Sequence, residues 1–157
     1  MKKIVFIVNI ILFVSIFIYS VVQKERLISS GQKMILKLQP VDPRSLMQGD
    51  YMRLDFQLAN DIENKEKFET KKAIVKLDSK NIGTLKSLYT KGSKLNKNEI
   101  VLNFKYKYDR VVIITDAWFF QEGKAKKFEE AKYGEFRIDS SGVGLLVKLL
   151  DKDLKEI

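Results

Sequence analysis

The chain predicts a mostly-β domain, a sandwich or partly closed barrel with one short helix, behind a single N-terminal transmembrane helix. Three observations carry this. An unbroken apolar run opens the chain, period-two alternation recurs along the rest, and turn-forming residues punctuate the alternating stretches at short intervals. At 157 residues, the part beyond the apolar run has room for one domain.

From Ile4 to Val22 no residue is charged, and 15 of the 19 are Ile, Leu, Phe or Val. As a helix this run spans about 28 Å, close to the ~30 Å hydrocarbon core of a bilayer. Its gross insertion gain is about −4 to −9 kcal/mol, from which Asn9, Ser15 and Ser20 subtract without reversing it. A buried core helix is disfavoured because the run has no polar face. A cleaved signal peptide is the better rival. Such peptides carry an apolar region of about 7 to 15 residues ending at a small-x-small site. The exit here, "YSVVQKER", offers no such pair, so an uncleaved anchor over residues 1–22 is expected, followed by a polar tether over 23–33. Lys2 and Lys3 favour a cytoplasmic N-terminus, although Lys24 and Arg26 beyond the run weaken the bias. The body is therefore placed outside the cytoplasmic membrane of a single-pass protein.

Without Lys2 and Lys3 the body keeps 27 basic residues against 20 acidic ones. Beside a membrane this points to anionic lipid as a partner, at about 1 kcal/mol per well-placed Lys. Nucleic acid is not expected: no recognition signature is present, and the lysines are spread along the chain. A solvated surface accounts for them equally well. The chain has no Cys and no His. That excludes disulfides, thiolate chemistry, Cys or His metal sites, and any Ser-His-Asp triad. A Ser-Lys dyad, a carboxylate pair or an oxygen-only metal site are the catalytic designs left. No cofactor is expected.

The elements follow in order. "KMILKLQ" (33–39) reads as the first strand. "YMRLDFQL" (51–58) alternates cleanly, with Met52, Leu54, Phe56 and Leu58 on one face and Tyr51, Arg53, Asp55 and Gln57 on the other. The charged stretch 59–72 reads as a loop or short exposed helix. "AIVKL" and "GTLKSLYT" flank "DSKN", a hairpin turn. Residues 88–98 form a basic loop. "EIVLNFKYKY" places Ile100, Leu102, Phe104 and Tyr106 on one face, and "RVVIITDAWFF" reads as a central strand covered on both sides. "GKAKKFEEAKYG" (123–134) predicts a short helix between glycines. A hairpin turning at Asp139 to Gly142 closes the domain. Seven or eight strands result.

Residues 49–56, "GDYMRLDF", carry the one specific motif. Gly49, Asp50, Tyr51 and Leu54 match the pattern from which the GDYXXLXY family takes its name, and Phe56 stands where the pattern has tyrosine. The lead-in "PVDPRSLMQ" is similar to the family's approach to the motif. "DAWFFQEGKA" resembles a second family segment, in which Trp118, Phe119, Glu122 and Gly123 fill the expected places and Ala117 replaces an arginine. With the leader and the last hairpin, the resemblance covers nearly the whole chain and makes 34–157 a GDYXXLXY-type domain. It implies a membrane-anchored bacterial domain, often encoded beside polytopic membrane proteins. It implies no established activity and no catalytic residues.

The residue chemistry of the motif is mainly that of a corner. Pro40 and Pro43 stiffen the approach, Gly49 suits a positive φ, and Asp50 can accept amides in an Asx turn or pair with Arg44 or Arg53. Tyr51 would lay its ring over the sheet with its hydroxyl near water. A binding role would use Asp42, Arg44, Asp50 and Tyr51 on this corner, with Gly49, Leu54, Glu122 and Gly123 as the rest of the candidate set. No catalytic residue and no metal ligand is assigned. Asp42, Asp50 and Asp55 match no known cation loop, and the nearby arginines oppose one. Asp116 and Glu122 stand too far apart along a strand, about 20 Å, for a glycosidase pair. A Ser-Lys hydrolase distantly like signal peptidases would need Ser45 as nucleophile, yet the peptidase position falls on Pro40. A lipid or small-ligand binder is the other alternative. Of Trp118, Phe119 and Phe120, at least one must point away from the others. The expected function is a non-enzymatic interaction or accessory role for an integral membrane partner. Oligomeric state is not legible in the sequence.

Overall fold

A computed structural model describes residues 2–39, 51–65, 70–107, 109–121 and 123–157. The first element is a long helix, α1 (Lys2–Ser30), none of whose residues is buried. Three polar side chains of its apolar run bond to the helix's own carbonyls. Asn9 Nδ2 donates to the Val5 carbonyl at 2.9 Å, and the Ser15 and Ser20 hydroxyls donate to the carbonyls of Ile11 and Ile16. Such four-back bonds remove the cost of those groups in an apolar medium. The helix is long and apolar enough to cross a membrane. The tether expected over 23–33 is not there: residues 23–30 complete α1, and Gln32 opens the first strand. Lys24, Glu25 and Arg26 are good helix formers, and no Gly or Pro intervenes before Gly31.

Nine strands follow among the described residues: β1 (Gln32–Lys37), β2 (Tyr51–Arg53), β3 (Lys72–Leu77), β4 (Gly83–Leu88), β5 (Glu99–Lys107), β6 (Arg110–Ile113), β7 (Ala117–Phe119), β8 (Tyr133–Ile138) and β9 (Gly144–Leu150). Two short helices, α2 (Gln57–Glu63) and α3 (Ala125–Phe128), interrupt them, where one was expected. All strand pairs are antiparallel. They form a three-stranded sheet in the order β1-β8-β9, a four-stranded sheet β4-β3-β5-β6, and the ribbon β2-β7. The two larger sheets meet edge to edge at an isolated parallel bridge between Ile35 and Ile82. Gly83 eases this approach, since a Cβ there would stand 3.1 Å from Leu36 Cδ2 on β1. The result is a mostly-β, partly closed barrel.

Inside it lie Met34, Leu36, Met52, Leu54, Phe56, Val75, Leu102, Phe136 and Leu149. The rings of Phe56 and Phe136 pack edge to face with centroids 5.2 Å apart. α2 closes the core with Leu58, Ala59 and Ile62.

Three expectations change here. The alternating strand 51–58 stops at Arg53, because Leu58, Ala59 and Ile62 fall on one face of a helix and bury better that way. The apolar stretch 110–120 is not one central strand. It breaks at Ile114, whose φ of 58° reverses the chain, so β6 becomes the outermost strand of its sheet and β7 pairs elsewhere. The helix foreseen over 123–134 holds only for Ala125–Phe128, since Tyr133 and Gly134 are taken into β8.

Candidate functional site

Of the corner singled out by the motif, the described part begins at Tyr51 and forms the ribbon β2-β7. Tyr51 faces Phe119, Met52 faces Trp118, and Arg53 faces Ala117. Alternation sends successive residues to opposite sides. Met52 is buried and Trp118 half-buried against Phe128, while Tyr51 and Phe119 share the outer face. Their ring centroids are 5.8 Å apart, and Phe119 is 76% exposed. Of the three adjacent aromatics, Phe119 is the one turned outward. Phe120 packs on Phe128, with centroids 5.1 Å apart.

Beside this aromatic pair sits an ionic clamp. Arg110 Nη1 donates to Asp55 Oδ1 at 2.7 Å, and its Nη2 donates to Asp116 Oδ2 at 3.1 Å. Arg53 Nε lies 3.8 Å from Asp55. The Leu54 amide donates to the Asp116 carbonyl, and the Glu63 carboxylate accepts from the Val111 amide. Asp116 sits in a bend between β6 and β7. Its partner is Arg110, because the turn at Ile114 folds 110 and 116 together. Tyr51, Arg53, Arg110 and Asp116 line a shallow recess of about 340 Å³ beside this clamp.

The predicted site residues divide unevenly. Asp42, Arg44, Gly49, Asp50 and Glu122 lie outside the described residues, as does Ser45. Tyr51 is exposed at the head of β2. Leu54 belongs to the core, at 2% exposure. Gly123 has a φ of +80° in the turn after β7, a role of backbone shape. Asp55, considered as a cation ligand with Asp42 and Asp50, is taken up by arginine. Sequence reasoning missed Arg110, and it foresaw one aromatic of the three turning away without identifying it as Phe119. Asp55 and Arg53 on the polar face of the motif strand were the available signal that ionic partners were required.

A family model described as GDYXXLXY protein matches residues 13–149. The chain belongs to the GDYXXLXY family. The match takes in the second half of α1 and nearly all of the β body. Comparison with curated proteins and with solved structures returned no match. In this GDYXXLXY protein the motif tyrosine position after Leu54 is Phe56, and its ring is 2% exposed against Phe136. The Tyr-to-Phe change thus falls in the interior, where a hydroxyl would need a partner.

A second recess lies at the exit of α1. Gln23, Arg26 and Ser30 line it with Leu95, Glu99 and Asp139, and its volume is about 550 Å³. Glu99 is buried. Lys86 Nζ donates to it at 2.7 Å and Asn96 donates through both its backbone and its amide, holding the carboxyl down at about 2. At Asp139 burial pushes the carboxyl up. Bonds from the Ser141 hydroxyl and from backbone amides of its own turn, including Val143 and Ser141, outweigh that and leave it below its ordinary value. Glu135, also buried, is paired by Lys33 at 2.8 Å and Arg137 at 3.4 Å.

Proposed function

We propose that this GDYXXLXY protein is a single-pass protein of the cytoplasmic membrane whose extracytoplasmic β domain engages the exposed part of an integral membrane neighbour. The β2-β7 corner is the contact surface, and the role is interaction rather than catalysis.

The observation that carries this reading is the Tyr51–Phe119 pair, with Phe119 76% exposed on β7 opposite the motif's Tyr51. An outward aromatic of this kind gains about 25 cal/mol for each Å² of apolar surface a partner covers. Flanked by Arg53 and the Arg110 clamp, it has the mix of aromatic and arginine favoured at binding centres. Lipid is the weaker occupant. The far end of β1, bridged at Leu38 to Phe56, stands about 20 Å along the strand from Gln32 at the helix exit. That the apolar helix has no buried residue, its apolar run being uncovered among the described residues, supports retention in the bilayer.

The test is photo-crosslinking in cells from a reactive amino acid at position 119, with position 105 on β5 as control. A membrane protein captured from 119 alone, and lost with Tyr51→Ser, is the expected result. Equal capture from both positions would remove the corner as the contact. Release of the protein from membranes by alkaline carbonate would remove the anchor.

A further inference from the structure

The joint between α1 and the β body has no slack. The apolar run ends at Val22, and the helix continues for eight residues to Ser30, a rise of about 12 Å. The Gly31 amide then donates to the Leu27 carbonyl at 2.9 Å, the Arg137 guanidinium reaches the Gly31 carbonyl at 3.4 Å, and β1 begins at Gln32. A bilayer's headgroup layer adds about 5 to 8 Å beyond the hydrocarbon on each side. Whatever part of the body flanks Gln23–Ser30 is therefore held at headgroup depth or just above it.

The recess at the helix exit identifies that part. Gln23 and Arg26 share it with Leu95 from the β4–β5 connection and with Asp139 and Ser140 from the β8–β9 turn. The β4–β5 connection carries Lys91, Lys94 and Lys97, all exposed, around Leu95, which is itself 45% exposed. The β8–β9 turn offers Val143, 51% exposed. The acidic groups nearby do not cancel these cations. Glu99 is occupied by Lys86 and Asn96, and Asp139 by the amides of its own turn. Glu25 is flanked on the helix by Lys24 and Arg26. Among the described residues no carboxylate pairs with Lys91, Lys94 or Lys97. Three lysines around an exposed Leu, beside a membrane-spanning helix, have the chemistry of an interfacial contact, in which cations meet phosphates and apolar side chains enter the layer beneath.

We infer that the β4–β5 loop and the β8–β9 turn dock on the anionic headgroups of the leaflet from which α1 emerges, with Lys91, Lys94 and Lys97 on phosphates and Leu95 and Val143 entering the headgroup layer. This rests on the reading of α1 as a retained anchor. The docking fixes the rotation of the body about the helix and leaves the β2-β7 corner facing away from the lipid.

The absence of cysteine supplies the test, because Leu95→Cys introduces a unique thiol. The full chain labelled there with a fluorophore is reconstituted in vesicles of phosphatidylcholine, with or without phosphatidylglycerol, containing a headgroup-level quencher lipid. A second chain labelled at Lys152→Cys, just past the far end of β9, is the control. Quenching several-fold stronger at 95 than at 152, enhanced by phosphatidylglycerol and reduced at high salt, is expected. Loss of that enhancement in the Lys91, Lys94 and Lys97→Gln variant, with an unchanged melting curve, completes the expected pattern. Equal quenching at both sites, or quenching at 95 indifferent to anionic lipid and to the lysines, overturns the docking. Release of the chain from the vesicles by carbonate overturns the anchor reading and the docking with it, whereas failure of the lipid response in a retained chain overturns the docking alone.

Discussion

Arg110 Nη1 donates to Asp55 Oδ1 at 2.7 Å, closing a span of 55 residues with one charge-assisted bond. The same guanidinium reaches Asp116, so removing it strands the Asp116 carboxylate and leaves Asp55 with only the 3.8 Å contact to Arg53. Arg110→Met should lower stability by about 1 to 2 kcal/mol, the range for a bond to a charged group discounted for solvent. Arg110→Lys should recover only part of this, because an ammonium cannot fork between two acceptors. Urea titration in mild detergent, followed by the fluorescence of Trp118, the single tryptophan, would read the difference.

Trp118 and Phe119 are adjacent but should behave oppositely. Trp118 packs on Phe128, and its replacement by Ser should cost about 2 to 4 kcal/mol through the cavity it leaves. Phe119→Ser should cost under about 1 kcal/mol, since it loses only its contact with Tyr51. Thermal melts by circular dichroism would compare the two; similar losses would mean that Phe119 is core.

The Glu99 carboxyl sits at about 2 in the folded chain against an ordinary 4.5. A depressed carboxylate stabilises the fold above its unfolded value and loses that contribution as pH falls through the folded value. The melting temperature should therefore fall between pH 4.5 and about 2, with Asp139 acting in the same direction. Glu99→Gln should flatten that part of the profile. Parallel profiles for both chains would refute the assignment.

Gly31 has no room for a side chain: a Cβ would stand 2.4 Å from the Leu27 carbonyl oxygen and 3.0 Å from Arg137 Cβ. Gly31→Ala should push helix and body apart. Spin labels at Lys24→Cys and Lys105→Cys would report it as a broadened or shifted distance distribution, and an unchanged distribution would show that the joint yields without cost.

Some of this architecture was legible because local chemistry and global fold agree. Asp78 Oδ1 accepts from the Lys80 and Ile82 amides, and Asp139 Oδ1 from Ser141 and Val143, so each hairpin is written in its own turn residues. The mostly-β class and the apolar helix follow from such signals. Ile114 gave no warning. A β-branched residue at a φ of 58° is an outlier that no pattern announces, and misreading it hid the Arg110–Asp116 pairing. The helical spacing of Leu58, Ala59 and Ile62 was masked by alternation that runs on through Leu58. For the candidate site, the motif supplied Tyr51 on β2, while the outward aromatic Phe119 came from the facing strand, whose register no single sequence displays.

With helical turns running to Ser30 and Arg137 clasping the Gly31 carbonyl, α1 is, on the proposed anchoring, the shaft of a crank whose arm is the barrel. Thinning or thickening of the surrounding bilayer changes the lean of such a shaft, typically within about 0 to 40° of the normal. On that reading a change in lean carries the aromatic tip of the ribbon with it, at a height set by the barrel.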